Sequence, residues 1–357
     1  MKILILVPNI NNAGGVARVL SSRINYMIEK WNWEVHVLTQ NNGNSPLFYN
    51  FNEKVIYIDV TFKGGFFNLI GDFKRQVNEV LQTIKPNKVL IADNGLKAFL
   101  YPFLFSNSSS WFLEIHSSLY FNENEKSGLL KQKAIRFIKR VGAKKYANLI
   151  LETEGGKTEW QNSKTIGIPN PLWFSPNKKA VLTTKKMIAA GRFVKVKGFE
   201  RLLRIWKKAV EIHPDWLLEI YGEPSKEVNL HQLVIDLELE NNVQLLPATN
   251  NIKDAFLNAS AYLLTSHYEG FGMVLLEAMA CGLPCVAFNC PVGPKALVEN
   301  ENTGFLLENN NEEAYLDAVL QLMQNEQLRK QLGENGFEKS KNYQLNVIMQ
   351  KWESLLF

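Results

Sequence analysis

No run in this 357-residue chain reaches the roughly 20 apolar residues that a membrane-crossing helix needs, so no transmembrane helix is expected. Cysteine is scarce. Cys281, Cys285 and Cys290 are the only ones, an odd number without a C-x-x-C pair, which argues against a disulfide framework and a structural zinc site. Three buried thiols in a reducing compartment are expected instead. The phosphate-binding pattern G-x-x-x-x-G-K is missing, the first loop is not G-x-G-x-x-G, and no Asp-x-Asp stands anywhere to hold a metal. The opening run Met1–Val7 is too short for a secretory signal and meets Pro8-Asn9; it reads as a first strand, and a cytoplasmic protein is expected.

What is present is ordinary globular composition: 46% hydrophobic, 21% charged and 11% aromatic residues, which excludes collagen, general disorder and a coiled coil. The length suits two domains. Charge divides with them. Residues 1–170 carry 21 Lys and Arg against 13 Asp and Glu, whereas residues 171–357 carry 19 against 22, as expected of domains with different partners.

In the first half, short β-rich runs (3–7, 35–38, 55–60, 89–92, 111–115, 149–151) alternate with helix-length segments such as 16–30 and 68–84. Most of these strands are apolar on both faces, which means βα units around a parallel sheet. The pattern pauses at Gly167-Ile168-Pro169-Asn170-Pro171, with Pro176 soon after, and suits an extended linker there. It restarts with strands at 187–190, 217–221, 243–246, 261–264, 285–288 and 304–307. After the first of these, Phe199, Leu202, Leu203, Trp206, Ala209 and Val210 form one helical stripe. Helical segments at 312–323, 325–340 and 345–356 end the chain. The expected organisation is a first Rossmann-like domain over 1–168, a linker over 169–180, a second domain over 181–340, and a last helix within 341–357 that packs back on the first. Ligands of such sheets bind at the carboxyl ends of the strands, so a central cleft is expected.

Gly14-Gly15 follows the first strand and opens a helix. Paired glycines there permit close approach of an anion to free backbone N–H groups, although an ordinary turn looks the same in sequence. The segment Ser266-His267-Tyr268-Glu269-Gly270-Phe271-Gly272 leads into a helix that Gly282 closes, with Pro284 beyond. Within that helix Glu277 has Met273, Val274, Ala280 and Cys281 as its i±3 and i±4 neighbours. No cation lies in helical reach, so its carboxylate is either pushed to the surface or kept as an acceptor for ligand hydroxyls.

Glu269 and Glu277, seven residues between them, inside Tyr-Glu-Gly-Phe-Gly…Leu-Glu-Ala-Met-Ala-x-Gly-x-Pro, resemble the pattern of the retaining family-four glycosyltransferases. The resemblance implies the GT-B fold, two facing Rossmann-like domains. It extends to Ala189–Phe199, which looks like the family's strand-loop-helix with an Arg and a Lys five residues apart, here Arg192 and Lys197. Two fixed cations would stabilise a departing diphosphate without a metal, whereas two cations in a loop could otherwise be solvated surface. Glu114-Ile115-His116-Ser117 resembles the family's active-site histidine segment. The implied roles are His116 and Glu269 at the donor sugar and Glu277 on the ribose diol. The amides of Phe271, Gly272, Met273 and Val274 would meet the phosphates, Gly222 would form a turn beneath the nucleotide, and Gly14-Gly15 would face the donor. One departure is Lys295-Ala296, standing where the family often carries Glu.

Residues 126–146 hold Lys126, Lys131, Lys133, Arg136, Lys139, Arg140, Lys144 and Lys145 and no acid, with Leu130, Ala134, Phe137, Ile138 and Val141 as an apolar stripe. An anionic membrane surface, nucleic acid, or a core-packed helix with a solvated basic face would each suit it. The resemblance favours the membrane, since family members that build surface polysaccharides such as lipopolysaccharide and capsule act on lipid-linked acceptors. The expected activity is transfer of a hexose or N-acetylhexosamine from a UDP-sugar, with no cofactor and no metal. The enzyme would be peripheral on the inner face of the cytoplasmic membrane, with a glycan or lipid-linked glycan acceptor and no nucleic-acid partner. A nucleotide-sugar epimerase of the same fold, or a nucleic-acid-binding protein using the basic helix, are the alternatives.

Overall fold

The computed structural model describes the chain except residues 13, 44, 63–64, 106–110, 118, 120–127, 155, 163, 176–177, 250 and the side chains at 66, 69 and 129. Lys126 and Pro176, named above, lie outside the described residues. Two compact units result, Met1–Trp173 with Leu345–Phe357, and Phe174–Gln344.

The first unit holds seven parallel strands, β1 (Lys2–Leu6), β2 (Glu34–Gln40), β3 (Ile56–Val60), β4 (Lys88–Ala92), β5 (Phe112–Ile115), β6 (Asn148–Leu151) and β7 (Thr165–Gly167). Their order across the sheet is β3-β2-β1-β4-β5-β6-β7. Alternation of side chains decides the two cores. Ile3 and Ile5 pack with Val35 and Val37 under the helix Gly15–Trp31. Leu4 and Leu6 pack on the other face with Leu38, Val89, Ile91 and Phe99. The final helix, Leu345–Leu356, places Ile348, Met349 and Trp352 in the first of these cores.

Two features differ from expectation. Thr165–Gly167 is a seventh strand, paired along Leu149–Leu151; only three residues long and followed by Pro169, it gives no periodic signal. The segment 169–180 is not a free linker: Asn170 and Leu172 are buried with the first unit, and Ala180 donates its N–H to the Cys281 carbonyl of the second.

The second unit holds six parallel strands, β8 (Lys186–Ala190), β9 (Leu217–Tyr221), β10 (Val243–Leu246), β11 (Ala261–Leu264), β12 (Cys285–Asn289) and β13 (Gly304–Glu308), ordered β10-β9-β8-β11-β12-β13. All six apolar positions predicted for the helix Phe199–Ile212 are buried. The three cysteines are free and buried, and burial pushes the Cys281 and Cys290 thiols up to about 12, which leaves them inert as nucleophiles. Among the described residues no helix is long and apolar enough to cross a membrane. In each sheet the chain reverses direction across the strand order at one place, between β1 and β4 and between β8 and β11, and residues just beyond those strands sit where such sheets bind ligands.

Candidate active site

In the second unit the loops leaving β8 and β11 are tied together. The His267 N–H donates to the Val196 carbonyl at 2.8 Å and the Thr265 hydroxyl to the Gly198 carbonyl at 3.0 Å. Gly198 has φ +65°, and a Cβ there would stand 2.1 Å from the Thr265 carbonyl oxygen, so no side chain fits this junction. Through it Lys197 Nζ reaches Glu269 Oε1 at 2.7 Å, and the Ser266 hydroxyl donates to the same oxygen at 2.5 Å. Glu269 is largely buried, while Arg192 is exposed and makes no side-chain hydrogen bond or ion pair among the described residues. The pairing of a half-buried ammonium with a carboxylate, on a loop that also carries an unengaged guanidinium, suits a ligand carrying both phosphates and hydroxyls.

Gly222 lies beneath this loop: a Cβ there would be 1.9 Å from the Gly191 carbonyl oxygen, so β9 can approach β8 only with glycine. Gly272 precedes the helix Met273–Ala280, and the Leu276 N–H donates to the Gly272 carbonyl at 3.1 Å; the amides of Met273, Val274 and Leu275 come before that bond, where the first N–H groups of a helix have no intrahelical acceptor. Phe271 is buried against Tyr343, ring centroids 5.8 Å apart. Val292, bridged to Glu269, takes φ 79° and ψ −72°, a strained conformation for a β-branched residue. Glu277 is 1% exposed, so the surface alternative for its carboxylate is excluded. A separate polar cavity of about 520 Å³, lined by Lys186, Glu219, Tyr221, Thr249, Asn251 and Asp254, takes in none of these predicted site residues.

The first unit holds the other predicted residues. Gly14 and Gly15 are exposed at the start of the helix Gly15–Trp31, and the Gly14 N–H is turned onto Asn12 Oδ1 at 2.8 Å. His116 follows β5 with its ring buried. Its Nδ1 lies 2.9 Å from Glu152 Oε1, which also accepts from the Asn170 amide at 2.5 Å, and its Nε2 lies 3.5 Å from Glu114 Oε1. Burial alone would depress this imidazole; the Glu114 and Glu152 carboxylates outweigh it and raise the pKa above the usual histidine value. Glu114 is in turn gripped by both Arg23 nitrogens at 2.7 Å, and Arg23 lies over the Trp352 ring at 4.4 Å. The structure therefore gathers Arg192, Lys197, Gly222, Glu269, Phe271–Val274 and Glu277 in one unit, and Gly14, Gly15 and His116 in the other.

The basic helix spans Leu129–Ala143, and its predicted apolar stripe is not its buried face. Leu130 is 84% and Phe137 69% exposed, whereas Lys139 is buried and donates to the Leu119 carbonyl at 2.9 Å. Arg140 donates to the Glu159 carbonyl. The buried face is the one carrying Lys139, Gly142 and Ala143.

Sequence reasoning missed Arg201. Buried over Phe288, it donates to the Thr265 and Ser266 carbonyls at 2.7 and 2.8 Å and so fixes the loop that carries Glu269. A lone arginine on a helix otherwise read for its apolar stripe was the only trace. Glu152, the partner of His116, and Asn170, the partner of Glu152, were also missed, because nothing local links residues 36 and 18 positions apart.

The family described as "Glycosyl transferases group 1" matches residues 173–339. The chain is 31% identical, over 99% of both chains, to an uncharacterized glycosyltransferase of Haemophilus influenzae. It is 27% identical, again over 99% of both, to the amylovoran biosynthesis glycosyltransferase AmsD of Erwinia amylovora. Among solved structures, HepE from Anabaena in complex with UDP matches with a TM-score of 0.80 at 18% identity, covering 100% of this chain and 99% of that one.

Proposed function

The chain belongs to the group 1 glycosyl transferases, and on that premise we propose that it moves a hexose or N-acetylhexosamine from a UDP-sugar to a lipid-linked or surface-polysaccharide acceptor, retaining configuration and needing no metal. The observation that carries this reading is the Lys197–Glu269 contact beyond β8 and β11, with Arg192 exposed on the same loop. As the bond from sugar to diphosphate breaks, charge gathers on phosphate oxygen, and the ammonium held by Glu269 and the guanidinium on the same loop stabilise it there. The amides of Met273 and Val274 cap the phosphates at a helix N-terminus. Glu269 accepts from a donor-sugar hydroxyl, and Glu277 from the ribose. The acceptor hydroxyl attacks C1 from the face the phosphate leaves, and the departing phosphate oxygen takes its proton, so no carboxylate nucleophile is needed. His116 is the first unit's contribution to catalysis. The UDP complex of HepE supports the choice of nucleotide, and the role of AmsD in amylovoran biosynthesis supports a surface glycan.

A panel of UDP-, GDP-, ADP- and CMP-sugars, scored by thermal stabilisation in EDTA, tests this. A ligand at 100 times its Kd stabilises by about 2.7 kcal/mol. UDP-sugars should raise the unfolding midpoint and the others should not; stabilisation that appears only with manganese would overturn the metal-free reading. Glu277→Ala should weaken UDP binding about tenfold to a hundredfold, because one hydrogen bond to a carboxylate contributes about 1.5–3 kcal/mol. Equal affinity in the folded variant would remove Glu277 from the ribose.

For the acceptor side, the exposed Leu130, Lys133, Ala134 and Phe137 follow one another at the i, i+3, i+4 and i+7 positions of one helix face, with exposed Lys131 beside it. Apolar anchors among cations suit an anionic lipid surface, which supports the reading of an enzyme peripheral on the inner face of the cytoplasmic membrane. Each lysine near such a surface contributes about 1 kcal/mol. Lys131→Gln with Lys133→Gln should therefore weaken binding to phosphatidylserine vesicles roughly thirtyfold at low salt. Arg140 is left in place because it holds the Glu159 carbonyl. Vesicle sedimentation that is absent in the unsubstituted protein would return this helix to plain solvated surface.

A further inference from the structure

Beyond β12 the chain reverses at Pro291-Val292-Gly293. The Gly293 N–H donates to the Pro291 carbonyl at 3.3 Å, and Val292 stands between them at φ 79° and ψ −72°. That is the rare and strained form of the γ-turn, with φ about +75° and ψ about −65°. Among the described residues, nine other than glycine take a positive φ; Val292 has the largest and is the one β-branched residue of the nine. A branched Cβ resists this region more than any other side chain does, so the neighbours of Val292 must impose it.

Those neighbours belong to the loop that carries Glu269. Val292 forms an isolated parallel bridge with Glu269 itself. A Cβ on Gly293 would stand 2.7 Å from the Phe271 carbonyl carbon and oxygen and 3.1 Å from Glu269 Cβ, so the turn presses on the main chain to either side of Gly270. Behind the turn, the Tyr343 hydroxyl donates to the Ala296 carbonyl at 3.3 Å while its ring lies against Phe271. All of these residues are in the second unit.

Glycine would make the same turn without strain. Valine adds restriction: its branched side chain leaves the backbone few wells, so a turn seated by its neighbours does not drift as a glycine turn would. We propose that Val292 is a positioning residue for the donor sugar: its strained turn fixes the main chain of Glu269 and so sets the carboxylate beside Lys197 before a ligand arrives. Glu269 is then held at both ends, its Oε1 by Lys197 and Ser266 and its backbone by the turn. Such double support is what keeps a recognition group in place without ligand. That Glu269 meets the donor sugar rests on the transferase reading; that Val292 holds Glu269 does not.

Hydrogen exchange and kinetics of Val292→Gly in the full chain test this. Without ligand, exchange of the backbone amides from Glu269 to Gly272 should quicken by about tenfold, and the thermal midpoint should not fall, because the strain leaves with the valine. The kcat/KM for the cleaved UDP-sugar should drop by about tenfold to a hundredfold, the scale on which small misplacements cost rate. UDP, which lacks the sugar that Glu269 meets, should bind within about twofold of its affinity for the unsubstituted protein. Val292→Ile, which returns a β-branched side chain, should rescue both the exchange and the rate. Unchanged exchange in Val292→Gly, a variant that unfolds at lower temperature or fails to fold, equal losses for UDP and UDP-sugar, or an isoleucine variant that behaves like the glycine one would each overturn the proposal. Quickened exchange in a protein that cleaves no UDP-sugar would refute the transferase reading and leave the hold of Val292 on Glu269 standing.

Discussion

Lys197→Ala should lower kcat by about 10²–10³-fold, the usual cost of removing one preorganised group that meets charge developing in the transition state. The donor KM should move far less, because the lost interaction strengthens only as the diphosphate leaves. The Lys197 ammonium is held for this by Glu269 at 2.7 Å and by the Gly198 junction, so its position does not depend on ligand. Lys195→Ala is the matched control: Lys195 is exposed two residues away on the same loop, and its rate should stay near that of the unsubstituted enzyme. Equal loss in both variants would show that loop integrity, rather than the Lys197 charge, is being read.

Arg23→Leu should destabilise the first unit by about 3–5 kcal/mol, because it leaves the Glu114 carboxylate buried without its bidentate partner. Replacing both residues by leucine should recover most of that loss, and failure to recover would mean that Arg23 acts chiefly through its contact with Trp352. The same cluster sets a pH window. Burial alone would raise Glu114, but Arg23 and His116 prevail and lower it, so its contribution is present above about 4.5 and is lost as pH falls through the folded value. His116 is raised, so its contribution is full below about 6.5 and is lost as pH rises through its folded value. Stability of the first unit should be greatest between those limits, and His116→Asn should flatten the alkaline side in chemical unfolding monitored against pH.

Much of this architecture could be read from the sequence because buried parallel strands are continuous apolar runs and the helix Phe199–Ile212 has a single stripe. The basic helix shows where that reasoning stops. Periodicity says which residues share a face but not which face is covered, and Leu130 and Phe137 lie on the open one. Lys197 and Glu269 are 72 residues apart and entered only through resemblance to a family, as did His116. Their supports were illegible for a physical reason. Arg201 bonds backbone carbonyls, and Glu152 reaches His116 from the neighbouring strand with Asn170 behind it, so no residue type or spacing announces them.

The most direct measurement is the slow hydrolysis of UDP-glucose and UDP-N-acetylglucosamine in EDTA, followed by proton NMR quickly enough to see the first anomer released. The account predicts cleavage of at least one of them, α-sugar appearing before mutarotation, at a rate that EDTA leaves unchanged and Lys197→Ala lowers by about 10²–10³-fold. Release of the β-anomer first, or cleavage that Lys197→Ala leaves intact, would contradict it.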